Sequence, residues 1–256
     1  MKESASRKAI RQAAILGIND VRLMYRRSTL GPLWVTATIA AQIAMIGLLF
    51  SYLLGEPPME FLLHVGSGII IWYFLVSSVN EGATALIDSA TLIKQVKLSP
   101  TVPTIRVVVK NLLLLFHNML LLVPLLAFNG EFVGLWLLFA LPALLLVVGN
   151  FCWIAIALSL LSARLRDLPA IANGVLMIAF YVTPILWSAE RFEGTGFGQI
   201  LLLNPFFHVI EVFRQPVFGE PPSTASIVFL SVSMAIGWLL TRKLLDTFGH
   251  RVPYWV

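Results

Sequence analysis

Six stretches free of charged side chains, each long enough to cross a bilayer, constrain this chain more than any motif in it. A helix needs about 20 apolar residues to cross a hydrocarbon core of about 30 Å. The predicted spans are 33–54, 61–80, 105–130, 132–163, 168–189 and 221–241, the third entered through Arg106 and Lys110. The fourth exceeds a minimal span, so it should tilt, kink near Pro142 or extend past the bilayer. Composition agrees: 58% of residues are hydrophobic and 12% charged, against about 45–50% and about 25% in soluble domains. A water-soluble fold of this length is excluded.

A seventh uncharged stretch, 194–210, carries Gly194, Gly196, Gly198 and the pair Asn204-Pro205. Its apolar pieces are too short to span. Irregular backbone at membrane depth survives only when buried in protein or lining a cavity. Residues 191–219 are therefore expected to form a re-entrant or interfacial pair of short helices; a loop on the membrane surface is the alternative.

The scarce charges set the orientation. Sixteen of the eighteen basic residues fall before the first span, between spans two and three, between four and five, or after the sixth. The opposite side has only Arg191 and Arg214, with seven glutamates. Lysine and arginine accumulate in cytoplasmic loops, so both termini are expected in the cytoplasm. The net charge of +5 then reflects topology, and no nucleic-acid partner is implied.

The N-terminal segment lacks the form of a cleavable signal peptide. Ile10, Ala13, Ala14, Gly17, Ile18, Val21 and Met24 recur at helical spacing. They predict an amphipathic helix on the cytoplasmic leaflet.

Catalytic chemistry is not evident. No glycine is followed by lysine, so there is no phosphate-binding loop of the Walker type. His64, His117, His208 and His250 are scattered, Cys152 is the one cysteine, and no metal site is expected. His64 and His117, like Gln42, Asn118, Asn150 and Asn173, read as hydrogen-bonding groups between helices. The chain reads as a channel, a carrier or the membrane half of a machine driven from elsewhere, rather than as an enzyme.

Tyr25-Arg26-Arg27-Ser28-Thr29-Leu30-Gly31-Pro32-Leu33-Trp34 resembles a signature of the ABC-2 type permeases that export O-antigen, capsule and teichoic acid. Further matches follow in order. They are Leu92-Ile93-Lys94-Gln95-Val96-Lys97-Leu98, Ala163-Arg164-Leu165-Arg166-Asp167, Thr183-Pro184-Ile185, Asn204-Pro205 with His208, Glu211 and Arg214, and Arg251-Val252-Pro253-Tyr254-Trp255. Any one is weak; six in order cover the chain from about Tyr25 to the end.

The resemblance implies an all-α integral membrane permease of the bacterial inner membrane. A cytoplasmic segment 1–32 precedes a transmembrane domain 33–241, and a cytoplasmic tail 242–256 follows. Two copies would pair. Two separate ATPase subunits would supply ATP and Mg²⁺, this chain holding no cofactor. The cargo would be a lipid-linked glycan of the O-antigen, lipopolysaccharide or capsule type. Two rivals stay open: an ABC-2 permease for a small molecule or lipid, and a membrane enzyme or assembly factor acting on lipid-linked sugars.

Under that resemblance Leu92, Ile93, Lys94, Gln95 and Lys97 are expected to couple to the ATPase, the plainer reading being a solvated loop. Tyr25, Arg26, Arg27, Leu30 and Gly31 are expected to receive the phosphate head group, for which planar guanidinium forks are suited. Anchoring against anionic lipid is the alternative. Trp72, Tyr73, Trp153, Phe180, Tyr181 and Trp187 are candidates for a sugar-stacking channel lining, or for an interfacial aromatic belt. Asn204, Pro205, His208, Glu211 and Arg214 are candidates for an external gate. Glu211 and Arg214, three apart on a helix, can also simply pair.

Overall fold

The computed structural model describes residues 5–26, 31, 33–96, 98–129, 135–192 and 194–256. All regular structure among them is helical: α1 (Ala5–Tyr25), α2 (Leu33–Leu54), α3 (Pro58–Asp88), α4 (Ala90–Val96), α5 (Thr101–Met119), α6 (Leu122–Asn129), α7 (Ala140–Arg164), α8 (Leu168–Val182), α9 (Gly196–Leu201), α10 (Pro205–Val217), α11 (Thr224–Phe248) and α12 (Val252–Trp255), with short 3-10 turns between some of them.

α3 is the axis of the bundle. Its sequence is apolar almost all round, and a helix of that kind must be enclosed. Leu63, Val65, Ile69, Ile70, Ile71 and Leu75 are fully buried, with α2, α5, α6, α7, α8 and α10 packed around them. Gly82 permits one of these approaches: a Cβ there would lie 2.8 Å from the Cβ of Ala155 on α7. At 31 residues and 1.5 Å per residue, α3 is about 46 Å long. It therefore joins two chemically different ends. One carries α1, α4 and α12 and most of the basic residues; the other carries α9, α10 and most of the glutamates.

Five helical segments are long and apolar enough to cross a membrane: Leu33–Leu54, Pro58–Asp88, Thr101–Phe128, Leu135–Arg164 and Thr224–Trp255. The expected fifth span, 168–189, is shorter. Its helix stops at Val182 after 15 residues, about 22 Å. Pro184 explains this, because the residue before a proline is pushed extended; Thr183 sits at φ −89°, ψ 137°. The fourth segment changes from a 3-10 turn (Leu135–Phe139) to α7 just before Pro142. That proline lies in the first turn of α7, where its missing N–H costs nothing. The third segment breaks between α5 and α6, and α3 extends beyond the expected 61–80 at both ends.

The pair of short helices expected after residue 190 is present as α9 and α10. Asn204 caps α10, accepting from the Phe206 N–H at 2.9 Å, and Pro205 occupies its first turn. Val209, Ile210, Val212 and Phe213 of α10 belong to the central core, so this helix is built into the bundle.

α1 departs from the single apolar face expected of it. Ala9, Ala13 and Val21 are buried, while Ile10, Ile18 and Met24 are exposed. The small residues pack against α5 because they let two backbones approach closely. A Cβ on Gly17 would lie 2.8 Å from the Arg106 carbonyl oxygen.

Candidate functional site

Charged groups gather at both ends of α3, and an aromatic face lies between them. At the basic end, α1, α3 and α5 enclose a cavity of about 400 Å³ lined by Asp20, Glu81, Asp88, Arg106 and Lys110 among others. Its cations are paired. Arg106 donates through Nε and Nη2 to the two carboxylate oxygens of Asp20. Lys110 pairs with Glu81 at 2.5 Å, and Asn111 donates to the same carboxylate at 3.4 Å. Thr84 donates to Asp88 at 2.7 Å. These acids were not singled out by sequence reasoning. The available signal was a few acids set among the cations that orient the chain.

Tyr25 closes α1 beside this cavity, with its hydroxyl buried and, among the described residues, without a hydrogen-bond partner. Burial raises the phenol's pKa. Arg26 is exposed. Gly31 adopts φ +54°, a left-handed conformation that favours glycine. Arg27 and Leu30, two of the candidates for head-group reception, lie outside the described residues.

α4 places Ile93 inward, in a cluster with Leu86, Ile156, Leu160 and Val252. Leu92 is half-buried, and Lys94 and Gln95 face outward. Lys97 lies outside the described residues.

The six candidate aromatics divide into four places. Trp72, Phe180 and Tyr181 share the face made by α3 and α8, while Tyr73, next along α3, bonds to α2. Trp72 meets the rings of Phe180 and Phe206 at 5.6 and 5.7 Å, and Phe180 meets Tyr181 at 5.4 Å. Tyr181 remains 72% exposed. A groove of about 200 Å³ runs along this face. Polar groups accompany the rings: the Tyr73 hydroxyl donates to Gln42 at 2.6 Å, and Asn80 donates to Asn173 at 3.1 Å. Trp153 lies elsewhere, against Gly237 of α11, donating to Asn150 at 3.1 Å. Trp187 stands at the acidic end with Phe192 and Phe197.

At the acidic end a cavity of about 460 Å³ is lined by Glu56, Glu60, His64, Glu190, Arg191, Glu211 and Arg214, with phenylalanines completing its wall. Arg191 pairs with Glu56. Arg214 donates to Glu211 and to the Pro184 carbonyl, both at 2.8 Å. Asn204 donates to Thr183 Oγ1 at 3.1 Å. The Thr183-Pro184 and Asn204-Pro205 motifs thus meet, and Arg214 fastens the end of α8 to α10. Gly68 makes room for Arg214: a Cβ there would lie 2.6 Å from Nη2. His64 donates from Nε2 to the Trp187 carbonyl at 3.2 Å. His208 does not line this cavity. It is buried between Ser226 and the Leu202 carbonyl, each 2.9 Å away, and stacks on Phe229. Its contacts pin the loop before α10 to α11.

The arrangement contains no cluster of three histidine, cysteine, aspartate or glutamate side chains suited to a metal ion among the described residues. It does contain a helical bundle with a polar, ring-lined face. Comparison with known proteins is consistent across the chain. The profile of the ABC-2 type transporter family matches residues 11–218. An O-antigen export system permease protein, RfbA, from Myxococcus xanthus is 26% identical over 229 residues, covering 86% of this chain and 85% of that protein. Two RfbA proteins from Klebsiella pneumoniae are 24% and 22% identical, covering 90% and 87% of this chain and 88% and 85% of their own lengths. With the family profile spanning most of its length, this chain belongs to the ABC-2 type transporter family.

Proposed function

We propose that the chain is the permease subunit of an ATP-driven exporter that carries a lipid-linked polysaccharide of the O-antigen or capsule type across the bacterial inner membrane. The observation that carries this reading is the α3–α8 face. Asn80 with Asn173 is a hydrogen-bonded pair open to the outside of the single chain beside the Trp72, Phe180 and Tyr181 rings, and Tyr73 with Gln42 is a second exposed pair, between α3 and α2. Polar side chains in a membrane bundle ordinarily face a partner or a water-filled path. Sugar rings suit such a surface, since their C–H faces pack on aromatic rings and their hydroxyls exchange hydrogen bonds with amides. A second copy facing this side would complete the conduit, giving a homodimer. The naming of the three relatives as O-antigen export permeases supports the choice of cargo.

The positive-inside bias puts the basic end, with both termini, in the cytoplasm. The membrane domain then covers 33–241, and the fifth crossing is made by the short α8 continued by the turn at Thr183–Pro184. α1 would run at the cytoplasmic leaflet with its exposed Ile10, Ile18 and Met24 toward lipid. Because Arg106 and Lys110 are neutralised by Asp20 and Glu81, head-group reception falls to Arg26 and Arg27, which follow Tyr25 in the sequence. Two separate ATPase subunits, holding ATP and Mg²⁺, dock at α4 through Lys94 and Gln95, with Lys97 following in the sequence. The cavity around Glu211 and Arg214 forms the external gate.

The test is removal of this chain, or of its ATPase, from cells that make both. Lipid-linked glycan should accumulate on the cytoplasmic side in each case. Normal surface glycan without this chain would sink the reading.

A further inference from the structure

The last residues fold back onto the bundle. After α11, a turn at Gly249–Arg251 leads into α12. Val252 is fully buried against Leu86 of α3, Ile93 of α4 and Ile156 and Leu160 of α7. These three helices meet only at the basic end, so α12 lies across that end and not along the lipid-facing side. The tail is also clamped. Arg166 donates from Nη2 to the Trp255 carbonyl at 2.8 Å, and the Arg164 guanidinium lies 5.8 Å above the Trp255 ring. The Phe248 ring backs the same indole at 5.7 Å.

Between the buried Val252 and the clamped Trp255, Tyr254 is 86% exposed. Exposed apolar side chains are ordinary along the spans of a membrane protein. At an end that faces water they need another explanation. A rigidly held, open aromatic has the character of an interface anchor, giving large contact area at low ordering cost. Val96 on α4 and Leu165 in the loop clamping the tail are exposed as well, at 57% and 56%. Cations predominate on the same elements: Lys94, Arg164, Arg166 and Arg251 are exposed, against the exposed Asp167.

We infer that the C-terminal tail is a second docking contact for the ATPase subunit, continuous with α4, with Tyr254 as its anchor. This rests on the reading of α4 as the coupling element. The partner surface it fits is a cleft with an apolar floor and an acidic rim. Because Val252 seats Ile93, a partner gripping both α4 and Tyr254 acts on one body that includes the end of α7. The anionic bilayer surface is the competing occupant, since basic and aromatic groups also suit it.

Cross-linking separates the two. In a Cys152→Ser background, which removes the only cysteine, Tyr254→Cys and Lys94→Cys are each labelled with a thiol-linked photo-crosslinker in membranes containing the chain and its ATPase. Capture of the ATPase from both positions is expected. Capture from Lys94→Cys with only lipid at Tyr254→Cys overturns the inference and leaves the coupling reading standing. No capture from either position brings down the coupling reading, and the inference with it. In parallel, Tyr254→Ala should lower ATP-driven export roughly fivefold or more, the size expected for loss of an anchoring aromatic, while Tyr254→Phe stays near normal. Tyr254 is exposed, so the alanine variant empties no packed site. Unchanged export in Tyr254→Ala also overturns the inference.

Discussion

Asp20 on α1 and Arg106 on α5, 86 residues apart in the chain, meet through two parallel hydrogen bonds that fasten the N-terminal helix to the bundle. Both side chains are partly exposed, so the bond lies between a surface pair, worth about 0–1 kcal/mol, and a shielded charged hydrogen bond, worth about 1.5–3 kcal/mol. Asp20→Asn and Arg106→Gln should each lower stability by roughly 1–2 kcal/mol on that scale. The double variant should cost less than the sum. Thermal unfolding in detergent measures the coupling; strictly additive losses would show that the pair contributes nothing.

Gly17 makes the same junction steric. Gly17→Leu drives a side chain into the Arg106 carbonyl and Val109, so α1 should leave α5 and become sensitive to limited proteolysis. Ile18→Ser, at the neighbouring exposed position, should leave protection unchanged. Equal protease resistance in both variants would contradict the packing described.

Arg214 is 4% exposed and has two bonds, to Glu211 and to the Pro184 carbonyl. Breaking a buried pair by removing one partner costs about 3–5 kcal/mol. Arg214→Gln is expected in that range. Arg214→Lys should restore part of it, because both bonds leave from Nη1 alone and an ammonium can donate to two acceptors. An Arg214→Lys variant no more stable than Arg214→Gln in chemical unfolding would show that these two bonds contribute little.

Lys94 is exposed on α4, away from the core formed by Ile93. Lys94→Glu should leave membrane insertion and yield intact while reducing export by roughly tenfold or more, as expected when a docking charge is reversed. Normal export in that variant removes α4 from the coupling role.

Local chemistry in the sequence carried much of this structure. The uncharged run 33–54 is α2 to the residue, and the proline in Thr183-Pro184 ends α8 as the extended residue before it requires. Asn204-Pro205 opens α10 by capping. What depended on distant partners was not legible. Nothing near Asp20 or Glu81 announces Arg106 or Lys110, since those pairs exist only after α1 and α3 pack on α5. The exposed α1 residues Ile10 and Ile18 have the same helical periodicity as the buried Ala13; size, which decides how closely α5 approaches, separated them. Trp153 and His208, candidates for channel and gate by residue type, pack against Gly237 and bond to Ser226, contacts that no local pattern announces.

The most direct test of the proposed function is reconstitution of this chain with its ATPase in liposomes loaded with a fluorescent lipid-linked glycan in the leaflet facing the ATPase. ATP should move the glycan to the opposite leaflet, where a membrane-impermeant glycosidase reaches it. Movement should stop when either subunit is omitted and fall when Trp72 and Tyr181 are both replaced by alanine. Glycan that stays put under ATP, or that crosses equally well without the ATPase, would contradict an ATP-driven polysaccharide exporter.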